Sequence, residues 1–236
     1  MKDKIICIII YIGMFVPLAS IGILFVLLTI LIPSKMNLFG RITSICVLKC
    51  LFVKLKINGT IPKNRPLILM YNHTSFIDPF LFAYSCPGKT TGIAAVEEFK
   101  VPIFGWMLKK WKAIPIDRTN IHTAKESIKR GEKAFDEGYK VIILPEGTRT
   151  VTGKIKKLKK GGFHMAINTK APILPVGSQG AFEFKPKNRW YIKPGQVSLN
   201  VGKIIEPSEY DQLGINGLID NVQNQFKDLT GYELEE

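Results

Sequence analysis

Between Ile5 and Ile32 the chain carries no charged residue, and most of those positions are Ile, Leu, Val, Phe or Met. A helix needs about 20 consecutive apolar residues to cross a hydrocarbon core about 30 Å thick, and this run exceeds that length. Lys2 and Lys4 give it the basic start of a secretory signal. Signal cores, however, span only about 7–15 residues and end at a small-residue cleavage site, whereas this run continues to Pro33-Ser34-Lys35. It is expected to stay on the protein as a membrane element. A second apolar stretch, Met36 to Ile57, is broken by Arg41, Lys49, Lys54 and Lys56 and leaves Leu38, Ile42, Ile45, Leu48 and Phe52 on one helical face. That pattern predicts an amphipathic interfacial helix. The two segments together suggest a helical hairpin dipping into one leaflet, with a single spanning helix as the alternative. Basic residues flank both ends, so the positive-inside rule draws both ends, and the rest of the chain, toward the cytoplasm.

Near Gly59–Arg65 the pattern changes to short apolar runs alternating with amphipathic stretches, which predicts an α/β domain. The expected division is 1–58 for membrane-anchoring helices and 59–236 for the α/β domain. Candidate strands are Pro66–Tyr71, Thr91–Val96, Ala113–Ile116, Lys140–Leu144, Ile173–Val176 and Val197–Val201. Ile121, Ala124, Ile128, Gly131 and Phe135 recur at helical spacing before a stop at Gly138. A last helix, from about Gly214 to Leu229, carries Ile215, Leu218, Ile219, Val222 and Phe226 on one face.

Lys and Arg outnumber Asp and Glu by 33 to 19, for a net charge of +14. Such a balance suits an anionic partner. Nucleic acid would satisfy it, but beside a long apolar anchor an anionic lipid surface is the more economical reading. The densest run, Lys154, Lys156, Lys157, Lys159 and Lys160, is either a solvated loop or a headgroup contact. Cys7, Cys46, Cys50 and Cys86 form no CxxC pair, so neither a disulfide framework nor a zinc site is expected. They fit a reducing cytoplasmic setting.

Three strand ends carry the chemistry. In Tyr71-Asn72-His73-Thr74-Ser75-Phe76-Ile77-Asp78-Pro79 a strand ends in His, and a carboxylate follows five residues later. Asp78 can turn back to hold the His73 Nδ1 proton, which makes His73 a general base. The plain alternative is Asp78 as a helix cap ahead of Pro79. No GxSxG elbow supplies a nucleophile, because Val176-Gly177-Ser178-Gln179-Gly180 lacks its first glycine. His122 and His164 have no neighbours at metal spacing. The base therefore needs a proton from a bound acceptor. Leu144-Pro145-Glu146-Gly147-Thr148-Arg149 ends a second strand with a guanidinium, a planar fork matched to phosphate oxygens. Glu146 would position that arginine or bind an acceptor hydroxyl, unless the segment is a surface turn with a Glu–Arg ion pair. Ile116-Asp117-Arg118 ends a third strand in the same way. A base beside two arginines is an anion site for a hydroxyl-bearing acceptor.

These segments, in this order, resemble the glycerophospholipid acyltransferases, and within them the 1-acylglycerol-3-phosphate (lysophosphatidic acid) acyltransferases. The resemblance rests on His73 and Asp78 in NHTSFID, on Phe104-Gly105-Trp106 followed by Ala113-Ile114-Pro115-Ile116-Asp117-Arg118, on Glu146-Gly147-Thr148-Arg149, and on Ala171-Pro172-Ile173-Leu174-Pro175-Val176. Lys112 stands where the second motif often has Gly, so only Arg118 is carried over from it. The resemblance implies a mixed, mostly parallel sheet flanked by helices, glycerol-3-phosphate acyltransferase-like, with an N-terminal two-helix membrane motif. It also implies an acyl-CoA or acyl-acyl carrier protein donor and lysophosphatidic acid as acceptor, with no metal or prosthetic group. By the same resemblance His73 takes the proton of the sn-2 hydroxyl and Asp78 supports it. Arg118, Glu146, Gly147, Thr148 and Arg149 would hold the glycerol phosphate. The nearest alternative is the same chemistry on another acceptor, glycerol 3-phosphate or another lysophospholipid, and the rival outside this family is a non-catalytic membrane protein that binds anionic lipid.

Overall fold

The computed structural model describes residues 2–117 and 121–235. Arg118 lies outside the described residues, as do the side chains of Cys7, Ile121, His122 and Ala124. The chain runs α1 (Lys2–Leu31), α2 (Met36–Cys50), β1 (Val53–Asn58), β2 (Ile68–Tyr71), α3 (Asp78–Ser85), β3 (Thr90–Ala95), α4 (Phe104–Lys110), β4 (Ile114–Ile116), α5 (Ile121–Asp136), β5 (Lys140–Ile143), α6 (Gly161–Thr169), β6 (Ile173–Gln179), α7 (Ala181–Phe184), β7 (Gly195–Val201) and α8 (Tyr210–Thr230).

The strands form one seven-stranded sheet in the order β1-β7-β6-β2-β5-β3-β4. β2 to β6 run parallel, β7 runs antiparallel to β6, and β1 is parallel to β7, so two strands at one edge oppose the other five. Each central strand is buried on both faces, which is why these runs are continuously apolar rather than alternating. Leu67, Leu69 and Tyr71 point into one core together with Val47 and Leu48 of α2 and Leu81 of α3. Ile68 and Met70 point the other way, toward Phe163 and Met165 of α6 and Leu218, Val222 and Phe226 of α8. The two faces follow from the two-residue period of a strand.

α1 lies against the first of these layers. Tyr11, Met14, Leu18 and Ile21, spaced at three and four residues, pack on that core, while Ile12, Phe15, Val16, Ile23, Leu24 and Leu27 are exposed. Tyr11–Leu31, 21 residues, is long and apolar enough to cross a membrane.

The expected interfacial helix over 36–57 needs correction. α2 ends at Cys50, Phe52 takes a positive φ of 56°, and Val53–Asn58 is strand β1, paired with Gly195–Asn200. Val-Lys-Leu-Lys-Ile alternates with a period of two, the signature of a half-buried strand. The five named apolar residues also divide between two environments. Leu38, Ile42 and Phe52 are exposed and Leu48 is buried, because α2 packs its Ser44, Val47 and Leu48 side on the domain.

Candidate active site

The register of β2 on β5 brings two of the motifs together. Met70 pairs with Ile143 as the last matched positions of these parallel strands. Three residues beyond each lie His73 and Glu146, so the chain ends leave the sheet side by side at its C-terminal edge, where α/β sheets place ligands.

Asp78 begins α3 with Pro79 behind it, but its side chain turns back onto the loop rather than capping the helix. Its Oδ2 accepts from His73 Nδ1 at 2.7 Å and from the amides of Thr74 and Ser75, each at 3.0 Å. The carboxylate is fully buried and the His73 side chain is 15% exposed. With Nδ1 pointed at a carboxylate, Nε2 is the nitrogen left to take a proton, and an imidazolium formed there faces an anion.

Glu146 does not pair with Arg149. Its Oε1 accepts from the His73 amide at 2.6 Å and its Oε2 from the Lys156 amide at 2.9 Å. At 2% exposure this is a buried acid, and burial pushes its carboxyl up to about 7 against the pull of those two amides. The Thr150 amide donates to the His73 carbonyl at 3.0 Å. Residue 73 is thus clasped at both its amide and its carbonyl by the loop that carries Arg149. Gly147, with φ 76°, makes the turn between them, and only glycine holds that conformation without strain. Thr148 and Arg149 are half-buried, and Arg149 has no ion-pair or hydrogen-bond partner among the described residues.

On the other side Asn72 ties β2 to β6. Its Nδ2 donates to the Ser178 carbonyl at 3.1 Å and its Oδ1 accepts from the Ser178 amide at 2.6 Å. Neither Asn72 nor Thr150 was singled out from the sequence. The available signal was an Asn where a central strand stops, since an amide side chain can extend the ladder by one pair. Asp117 follows β4, two strands from β5, and so marks where the chain enters the segment holding Arg118.

An apolar cavity of about 830 Å³ starts beside this loop, at Phe76, Pro79 and Leu144, and runs between the sheet and the α1–α2 pair to Phe25 and Met36. Its volume falls within the range of about 300–1,000 Å³ usual for ligand sites. Phe76, Pro79, Phe104 and Leu144 of its wall fall within the sequence motifs, but nothing in the sequence marks them or the other wall residues as cavity lining, because core and cavity lining have the same composition.

Residues 53–179 match the family model described as Acyltransferase. The chain is 31% identical over 193 residues to the 1-acyl-sn-glycerol-3-phosphate acyltransferase of Cocos nucifera, an alignment covering 81% of this chain and 63% of that protein. It is 32% identical over 139 residues to the protein of the same name from Pseudomonas aeruginosa, covering 58% of this chain and 53% of the relative. It therefore spans somewhat under two thirds of the length of these relatives. The crystal structure of the 1-acyl-sn-glycerophosphate (LPA) acyltransferase PlsC from Thermotoga maritima superposes with a TM-score of 0.79 at 23% identity, covering 97% of this chain and 95% of that one. This likeness establishes a shared fold. The family match takes in the strands and loops that carry the His73–Asp78 pair and the Glu146 clasp, and the chain belongs to the acyltransferase family.

Proposed function

We propose that this chain transfers a fatty acyl group from acyl-CoA or acyl-acyl carrier protein to the sn-2 hydroxyl of 1-acylglycerol 3-phosphate, giving phosphatidic acid, at a membrane surface. The observation that carries the reading is the clasp on residue 73, since Glu146 and Thr150 bind the backbone of the base to the loop that presents Arg149. A hydroxyl whose neighbouring phosphate sits on that arginine is held next to a base in a fixed frame, which is how positioning lowers a barrier. The names of the relatives support the choice of acceptor.

In this mechanism His73 Nε2 takes the hydroxyl proton as the oxygen attacks the thioester carbonyl. The new C–O bond forms, the C–S bond breaks as the tetrahedral intermediate collapses, and the imidazolium returns its proton to the departing thiolate. Asp78 holds the ring and balances its transient charge. Arg149 and Arg118 hold the phosphate, with the Gly147–Thr148 turn setting the reach of Arg149. Both oxygens of Glu146 are engaged by amides, so its part is to position His73 and the Lys156 backbone. The apolar cavity takes an acyl chain. α1 anchors the protein with the α/β domain on the cytoplasmic face, and the Lys154–Lys160 run meets anionic lipid or an acidic donor.

The test is transfer from labelled acyl-CoA or acyl-acyl carrier protein in detergent, with lysophosphatidic acid, glycerol 3-phosphate and lysophosphatidylcholine in competition. Phosphatidic acid formed by wild type and not by His73→Ala is the expected result. Product from another acceptor would move the substrate, and no product from any acceptor would leave a lipid-binding protein.

A further inference from the structure

Across the cavity from α1 the chain makes a turn that the catalytic geometry does not require. A short 3-10 segment, Val96–Lys100, leads through Val101, Pro102 and Ile103 into α4. The Phe104 amide donates to the Pro102 carbonyl at 2.6 Å, and Ile103 between them has φ 63° and ψ −57°. This is the γ-turn of positive φ, a rare and strained form, built on a β-branched residue that seldom adopts it. Its surroundings hold it in place. The Gly105 amide donates to the Val101 carbonyl at 2.7 Å, and Gly105 packs so closely that a Cβ there would run into the Phe99 carbonyl. The outcome is an Ile side chain 65% exposed and Val101 49% exposed.

The surroundings of the turn indicate what covers it. Ile103, Phe104 and Met107 line the same cavity as Phe25 and Met36. The turn and the second half of α1 are thus two walls of one chamber, and that half of α1 also exposes Leu27 and Leu31. Lys100 stands exposed next to the turn, Glu97 and Glu98 stand exposed on the 3-10 segment before it, and Lys109 and Lys110 are exposed in the last turn of α4. A strained, exposed apolar tip on the rim of a cavity that it shares with an apolar helix matches a lipid surface in hydrophobicity, and the exposed Lys100, Lys109 and Lys110 favour an anionic one.

We propose that the Val101–Ile103 turn is a second membrane contact, which enters an anionic leaflet beside α1 and sets that rim of the cavity at the level of the lipid. The contact rests on the membrane location proposed above and does not depend on the acyl-transfer chemistry.

The test uses the full chain in nanodiscs of phosphatidylglycerol and phosphatidylethanolamine. A nitroxide is attached at Ile103→Cys, with Asp220→Cys on the opposite face as the aqueous reference and wild type carried through the labelling as the blank. Collision with oxygen, which concentrates in lipid, should exceed collision with an aqueous nickel chelate at 103 and fall below it at 220. A label at 103 as open to nickel as the one at 220 would overturn the contact. In a second arm, Val101→Asp places a charge on the tip without touching the cavity. Transfer to a long-chain acceptor in vesicles should fall about tenfold or more, the scale of placing a carboxylate in lipid, with transfer to a short-chain, water-soluble acceptor unchanged. Equal loss on both acceptors, or on neither, would overturn it. A lipid-exposed label on a protein that transfers nothing would overturn the transferase reading and leave the contact standing.

Discussion

In the proposed mechanism turnover rests on His73 and Asp78, and the two should fail differently. His73→Ala removes the base and is expected to lower kcat by a factor of about 10²–10⁴ while leaving the melting temperature near that of wild type. Asp78→Asn replaces one acceptor of three hydrogen bonds, from His73 Nδ1 and the Thr74 and Ser75 amides, so it should lower both kcat and thermal stability. Equal melting temperatures for the two variants would contradict this difference. Glu146 makes a prediction of its own. Its carboxyl rises from an ordinary 4.5 to about 7 in the folded chain. The stability tied to its burial is therefore complete below pH 4.5, where folded and unfolded forms are both protonated, and is lost as the pH rises through 7. Glu146→Gln cannot ionise. The stability difference between wild type and this variant should shrink with rising pH by up to about 3 kcal/mol, read as melting temperatures in detergent at pH 5 and pH 8.5. A difference that stays flat would mean that the carboxyl does not titrate in that range. In catalysis Gln can accept only one of the two amides, so kcat should fall with the KM for the acceptor unchanged. A raised KM at constant kcat would instead make Glu146 a substrate contact. Keeping a carboxylate where ionisation costs stability is the kind of compromise found at functional sites.

At the scale of elements, the central strands are legible in the sequence because their burial on both faces leaves apolar runs edged by Gly, Pro and Asn. β1 is not, since Lys54 and Lys56 fit a polar helix face as readily as the outer face of an edge strand, and only the turn at Phe52 decides between them. The His73–Asp78 bond is legible from a five-residue spacing. The Glu146 clasp is not, because it depends on β5 lying next to β2 rather than on anything within either motif. The cavity is likewise a property of packing between elements. Gly22 lines it, and a Cβ added there meets nothing within 4 Å. Gly22→Phe is therefore expected to shift the preferred acyl chain toward shorter lengths without lowering the melting temperature, measured by donor competition across chain lengths. An unchanged preference would place the chain elsewhere. Ile103→Gly should raise the melting temperature, since the positive φ held there costs on the order of 1–3 kcal/mol for a non-glycine residue.

For the whole molecule, the proposed membrane setting has the net charge of +14 and the apolar flank of α1 act on the same partner from two directions, so binding to anionic vesicles should weaken with salt yet persist at 1 M, where screening acts within about 3 Å. Full release at high salt would argue against an embedded α1. The edge pairing of β1 with β7 also bears on how the protein is made. Asn58 Nδ2 bonds Asn200 Oδ1 across 142 residues of sequence. At about 5–20 residues per second, the ribosome adds the partner strand roughly 7 to 30 seconds after β1 has emerged. Throughout that interval the start of the chain is free to settle in lipid while β1 waits with an open edge, and Lys54 and Lys56 are placed to keep neighbouring nascent chains from pairing with it.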